Sequence, residues 1–125
     1  MSGVTIVNHA PPLPRGVSAT TLEAMEFSDA GPESAVPEGG GLRVVVDGRA
    51  VALFRSAGAI VAFDDACPHA GAPLSSGVCR DGEVVCAWHG FRFDAATGEC
   101  LLFAGAPSAT VRAVKVEGGR VLVAK

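Results

Sequence analysis

Two short segments, Cys67-Pro68-His69 and Cys86-Ala87-Trp88-His89, lie sixteen residues apart, and each sets one thiol and one imidazole within a few positions of each other. Two of the three histidines and two of the four cysteines fall there. A chain that concentrates its scarce ligand residues in this way must bring the two segments together, which limits the architectures open to it. Joined, they offer two Cys and two His to one metal centre. The third histidine, His9, stands apart in a proline-rich stretch and reads as a solvated residue.

The order of the ligand types separates two metals. Zinc accepts Cys2His2 tetrahedrally, but the finger pattern places both cysteines in one element and both histidines in another. Here the types alternate. In the binuclear iron–sulfur centre in which His replaces Cys on one iron, two Cys hold one iron and two His the other. A loop carrying one of each reaches both irons, and a second such loop completes both shells. The alternation therefore favours a [2Fe–2S] cluster held by Cys67, His69, Cys86 and His89, with a mononuclear zinc as the alternative.

The surrounding pattern is β. Leu42–Val46, the Asp47-Gly48 turn and Val51–Phe54 predict a hairpin, because Asp-Gly suits a type I′ turn. Ala57-Gly58 predicts a further turn before a strand over Ile60–Phe63, and the first ligand segment opens directly after it. Glu83–Cys86 enters the second segment and Phe91–Phe93 leaves it. Thr97-Gly98 and Gly118-Gly119 punctuate later hairpins, with closing strands over Val111–Val116 and Arg120–Ala124. An alternating segment over Thr20–Phe27 is a candidate first strand, and Gly31–Gly41 is turn-rich and expected to be irregular. No stretch sustains a helical period. Gly71 and Gly90 follow the ligand histidines closely, where the backbone has to turn tightly. Pro68 and Pro73 stiffen the first loop.

Length and composition bound the rest. At 125 residues with 49% apolar content the chain is long enough for one core and too short for two. Residues 1–16, with Pro11-Pro12-Leu13-Pro14, read as a flexible arm, and 17–125 as a single domain. No membrane span or signal peptide is expected. A net charge of −3 with only ten Lys and Arg argues against a nucleic-acid partner and is compatible with docking to a basic patch on a protein. Cys79 and Cys100 either form a disulfide or are free thiols; the second is preferred, and with it a cytoplasmic location.

Cys67-Pro68-His69-Ala70-Gly71 and Cys86-Ala87-Trp88-His89-Gly90, followed by Phe91-Arg92-Phe93-Asp94 and Thr97-Gly98, resemble the Rieske-type [2Fe–2S] ferredoxin family from about Arg43 to the C-terminus. The resemblance implies an all-β fold, an antiparallel Rieske-like β-sandwich with an inserted rubredoxin-like cluster-binding subdomain at about 65–92. In such an arrangement His69 and His89 sit at an exposed tip, and Trp88, Phe91 and Leu74 either form an apolar collar around it or pack in the core. Pro107 belongs either to a third loop that shields the cluster or to an ordinary turn. Respiratory-type relatives carry a further, bridged Cys in each loop; the matching positions here are Ala72 and Trp88, which points to the soluble, oxygenase-associated type. High-potential relatives supply Ser and Tyr hydroxyls after the second loop. Phe91 and Phe93 stand there and the chain contains no Tyr, which implies a potential toward the low end of about −150 to +300 mV.

The resulting expectation is an electron carrier without catalytic residues. It would take single electrons from a flavin-dependent ferredoxin reductase to a terminal oxygenase. The four protein ligands saturate both irons, and the sequence shows no mononuclear iron triad and no phosphate loop at Gly39-Gly40-Gly41. The alternatives are the small subunit of an assimilatory nitrite reductase and a zinc-bearing structural or interaction module.

Overall fold

Four two-residue turns set the strand pairing: Asp47-Gly48, Ala57-Gly58, Asp81-Gly82 and Gly118-Gly119. Both residues of each have positive φ, between 51° and 84°, the requirement of the type I′ hairpin whose twist matches that of the flanking strands. The computed structural model describes residues 26–68, 71–88, 90–102 and 105–124. The expected arm over 1–16, the candidate strand up to residue 25, and His69 and His89 lie outside those residues.

Among the described residues ten strands follow in chain order: β1 Phe27–Pro32, β2 Gly41–Val46, β3 Arg49–Ser56, β4 Ala59–Asp64, β5 Val78–Arg80, β6 Glu83–Val85, β7 Arg92–Asp94, β8 Val111–Arg112, β9 Val114–Glu117 and β10 Arg120–Ala124. They form three antiparallel sheets, ordered β1-β10-β9, β2-β3-β4-β8 and β5-β6-β7. Single 3-10 turns occupy Glu33–Ala35 and Leu74–Ser76. The all-β antiparallel expectation holds, and among the described residues no helix is long and apolar enough to cross a membrane.

The apolar side chains divide into two clusters on either side of the four-stranded sheet. Val51, Leu53, Ile60 and Ala62 face Val114, Val121 and Val123 of the β1-β10-β9 sheet. Their neighbours in sequence, Ala52, Phe54, Val61 and Phe63, face the opposite way and pack with Leu74, Val84, Phe93, Cys67 and Cys86. Because strand side chains alternate between faces, a central hairpin buried on both sides reads as a continuous apolar run, Val-Ala-Leu-Phe and Ile-Val-Ala-Phe. The small β5-β6-β7 sheet and its loops therefore form a third layer, seated on the outer face of the sandwich.

Three boundaries differ from the sequence expectation. Among the described residues the first strand is Phe27–Pro32, with a bulge between Asp29 and Gly31, so it runs into the Gly31–Gly41 stretch expected to be irregular. The expected strand over Val111–Val116 is two strands. Val111 and Arg112 pair with Phe63 and Ala62, whereas Val114 pairs with Val123 in the other sheet. Ala113 is buried at the corner and its carbonyl accepts from the Ala124 N–H at 2.9 Å; a small side chain leaves room for one strand to change sheets there. Finally, β5 precedes the strand expected at Glu83 and is joined to it by the Asp81-Gly82 turn.

Ala57 is the apolar exception among the turn residues, with φ 51° and no side-chain oxygen to help hold the left-handed conformation. That conformation costs a non-glycine residue roughly 1–2 kcal/mol, and glycine gives back roughly 0.5–1 kcal/mol in chain entropy. Ala57→Gly is expected to stabilise the fold by about 0.5–1 kcal/mol, read as a higher urea midpoint with an unchanged slope.

Candidate metal centre

The two ligand segments are built on one plan. The Cys67 N–H donates to the Ala72 carbonyl at 2.7 Å, and the Cys86 N–H donates to the Phe91 carbonyl at 2.7 Å. Each cysteine thus closes a loop onto the carbonyl five residues ahead. Each loop has a glycine at its fifth position, Gly71 with φ 71° and Gly90 with φ 69°, a backbone that L side chains rarely adopt. In the first loop the Gly71 N–H also donates to the Cys67 carbonyl at 2.6 Å. Cys67 and Cys86 both sit in the same buried apolar cluster.

Backbone contact brings the loops together. Gly77, which ends the chain's path out of the first loop, lies directly on the strand entering the second: a Cβ there would run into the Val85 carbonyl and approach the Ala87 nitrogen to 3.3 Å. Gly41 does the same between the sandwich and the 3-10 turn, where a Cβ would stand 2.6 Å from the Ser75 carbonyl and 2.8 Å from the Phe54 ring. Gly41 is therefore the packing point of the Gly39-Gly40-Gly41 run, and the Cys79 N–H adds a bond to the Gly39 carbonyl at 3.1 Å.

A third loop, 105–110, is held beside the first two. The Ala109 N–H donates to the Gly98 carbonyl at 2.7 Å, the Asp64 N–H donates to the Thr110 carbonyl at 2.9 Å, and Ala106 and Ala109 pack on the cluster that holds both cysteines. Arg112 closes the arrangement with two parallel bonds to Asp64, Nε to Oδ1 at 2.7 Å and Nη2 to Oδ2 at 2.8 Å. Pro107 belongs to this loop and is exposed.

Of the three expected collar residues, Trp88 alone is on the surface, 53% exposed. Phe91 is half-buried against the cluster, and Leu74 is fully buried at the head of the 3-10 turn, where it serves the core. Leu101 and Leu102 are exposed instead, with the Leu101 N–H donating to the Arg92 carbonyl beside the exit of the second loop. Their signal was the apolar run Leu101-Leu102-Phe103 ahead of a Gly-Ala-Pro turn. Phe93 is fully buried, and its ring centroid stands 6.5 Å from that of Phe91; neither ring offers a hydroxyl to the centre.

Cys79 and Cys100 are thiols at the two ends of one cross-strand row, Cys79–Val84–Phe93–Cys100. Three strand spacings put them about 14 Å apart, twice the roughly 7 Å that a disulfide spans between Cα atoms. Burial pushes the Cys79 thiol up, and a hydrogen bond with Ser56 only partly offsets it.

A family model described as the Rieske [2Fe-2S] domain matches residues 26–118. The chain is 38% identical over 88 residues to the naphthalene 1,2-dioxygenase system ferredoxin component of Pseudomonas aeruginosa, across 70% of this chain and 85% of that protein. It is similar to the ferredoxin of carbazole 1,9a-dioxygenase from Nocardioides aromaticivorans IC177, at 28% identity over 78% of this chain and 96% of that one, with a TM-score of 0.71. It is also similar to a chain in the complex of reduced oxygenase and oxidized ferredoxin in carbazole 1,9a-dioxygenase, at 28% identity over 78% of this chain and 92% of that one, with a TM-score of 0.70. The described residues fit the implied cluster. Two buried thiols head two equivalent loops, and the sequence follows each with an imidazole.

Gly77→Ala is expected to destabilise the fold by roughly 1–3 kcal/mol or more and to lower the iron and acid-labile sulfide content, because the two loops can no longer close on each other. Gly40→Ala, whose Cβ would meet only the Pro37 ring at an ordinary 3.7 Å, is expected to leave both measurements unchanged.

Proposed function

The chain belongs to the Rieske [2Fe-2S] domain family, and from that premise we propose that it is the ferredoxin of a multicomponent oxygenase, accepting single electrons from a flavin-dependent reductase and delivering them to a terminal oxygenase. The observation that carries this reading is the pair of equivalent loops, which buries Cys67 and Cys86 in one apolar cluster and leaves Trp88 exposed. When bound, the Rieske-type cluster supplies a centre that is reversibly reduced by one electron. Cys67 and Cys86 would hold one iron, and His69 and His89 the other. Residues 17–125 are read as the single Rieske domain. The compartment is read as the cytoplasm, which the unbridged Cys79 and Cys100 support.

The charge pattern speaks to how the oxygenase is recognised. Segments 66–79, 84–91 and 100–111, which contain all three loops, hold no Asp, Glu, Lys or Arg. Docking at this end relies on apolar contact through Trp88, Leu101 and Leu102 rather than on the overall acidic balance. Affinity for the oxygenase is expected to change by less than about twofold between low and high salt, since there is little charge to screen. Trp88→Ala is expected to weaken docking on the order of tenfold with the midpoint potential unchanged, measured by calorimetric titration alongside redox titration.

The reading as a whole is tested by redox titration of the purified protein followed by electron paramagnetic resonance. A one-electron centre near the low end of about −150 to +300 mV is expected. A midpoint well above zero, or zinc without acid-labile sulfide, would overturn it. Replacing Cys67, His69, Cys86 or His89 is expected to remove or convert the cluster, and Cys79→Ala and Cys100→Ala to retain the visible spectrum.

A further inference from the structure

Asp65 is the one buried charged residue among those described, and it stands two positions before Cys67 at the point where β4 gives way to the first loop. Three donors converge on its carboxylate. The Ser75 N–H donates to Oδ1 at 2.7 Å, the Ser75 hydroxyl to Oδ2 at 2.7 Å, and Arg43 Nη1 to Oδ2 at 2.8 Å. Its own N–H donates to the Ala50 carbonyl at 3.1 Å. One side chain therefore ties together β2, the entry of the first loop and the 3-10 turn by which that loop leaves. Both ends of the loop that carries Cys67 are referred to the same two carboxylate oxygens.

The ion pair is lopsided. The Asp65 side chain is 0% exposed, whereas that of Arg43 is 55% exposed. Water screens the arginine strongly and the carboxylate hardly at all, so the pair presents a net negative field toward the interior. The adjacent pair is balanced, with Asp64 31% and Arg112 27% exposed, and its two charges largely cancel. Two residues of chain keep Asp65 within about 7 Å of Cys67, Cα to Cα. A fixed negative charge at that range opposes the addition of an electron.

We propose that Asp65 is the positioning residue for the first ligand loop, and that its unequally buried pair with Arg43 lowers the potential of the cluster this chain binds. The proposal rests on Cys67 being a cluster ligand, as read above. It predicts shifts of opposite sign from the two partners. Asp65→Asn keeps the side-chain shape and removes the negative charge, so the midpoint rises and the cluster bleaches faster under a chelator. Arg43→Gln leaves the carboxylate without its counter-charge, so the midpoint falls. Ser75→Ala removes one bond and no charge; bleaching accelerates while the midpoint stays within error of the parent.

The experiment is a redox titration and a chelator-bleaching time course on the cluster-loaded full chain and these three variants. A rise from Asp65→Asn together with a fall from Arg43→Gln supports the proposal, because loosened packing alone does not produce a sign change; the reverse pair of signs overturns it. Shifts of the same sign, or parent midpoints and bleaching rates throughout, overturn it. Should Asp65→Asn fail to fold, Arg43→Gln, at an exposed side chain, still decides the sign: a fall supports the proposal and a rise overturns it. A Cys67→Ser chain that kept the parent spectrum would instead remove the ligand reading beneath it, so the two failures are distinguishable.

Discussion

The β3–β4 hairpin has no solvent face, and the rest of the molecule is arranged around that constraint. Leu53 points into the sandwich and Phe54 into the layer that bears the cysteines; Ala62 and Phe63 repeat the division one strand over. Burying a side chain such as Phe54, Phe63 or Leu53 contributes about 1.5–3 kcal/mol each. Neither face can be left open to water without losing contributions of that size. The valine-rich β1-β10-β9 sheet covers one side. The loops and the small sheet cover the other, which fixes where a metal centre can sit. Phe54 and Phe63, edge to face with centroids 6.0 Å apart, form the floor on which the subdomain rests.

The subdomain is thin by comparison. Its three strands are three residues each, too short to be independently stable as a sheet. Close backbone approach at Gly41, Gly77 and Gly98 makes up for missing side-chain volume. At Gly98, which has φ 80°, a Cβ would collide with the Ala109 carbonyl. Such contacts are specific but add little buried apolar area. A cluster held by both loops, as proposed, would act as the remainder of the core, so that metal binding and local folding would be one process.

Features governed by local chemistry were legible in the sequence. Asp47-Gly48, Ala57-Gly58 and Gly118-Gly119 each demand a turn, the apolar runs between them demand strands, and Gly71 and Gly90 need the left-handed backbone that the two loops use. Features governed by distant partners were not. Val111–Val116 looks like one strand until the two sheets compete for it, and Ala113 gives no local sign of the switch. Cys79, between Val78 and Arg80, does not suggest a strand without its partners Val84 and Val85. Leu74 reads as well for a collar as for a core, because apolar character alone does not say which side of a loop faces inward. Gly77 lacks the positive φ that turn chemistry would signal; its need for glycine comes from Val85, eight residues away. Asp65 belongs with these, since an Asp-Asp pair before a ligand loop looks solvated until Arg43, Ser75 and Arg112 are brought to it.

The placement of charge ties these layers to electron transfer. A net charge of −3 does not describe the loop segments, because the described charged side chains lie on the three sheets, in their connections and at the base of the loops, and none lies in segments 66–79, 84–91 or 100–111. At that base they are paired, Asp64 with Arg112 and Asp65 with Arg43, and there a charge fixes geometry and biases potential. At the loops there are none, and Trp88, Leu101 and Leu102 present apolar surface there that gives up water readily. Mixing the two would defeat both uses. A carboxylate at the tip would have to be desolvated at every encounter, and an uncharged base would leave the first loop without the three donors' common anchor. The separation follows from the fold itself. Charges placed at the ends of β4 and β8 hold the first and third loops without lying in them.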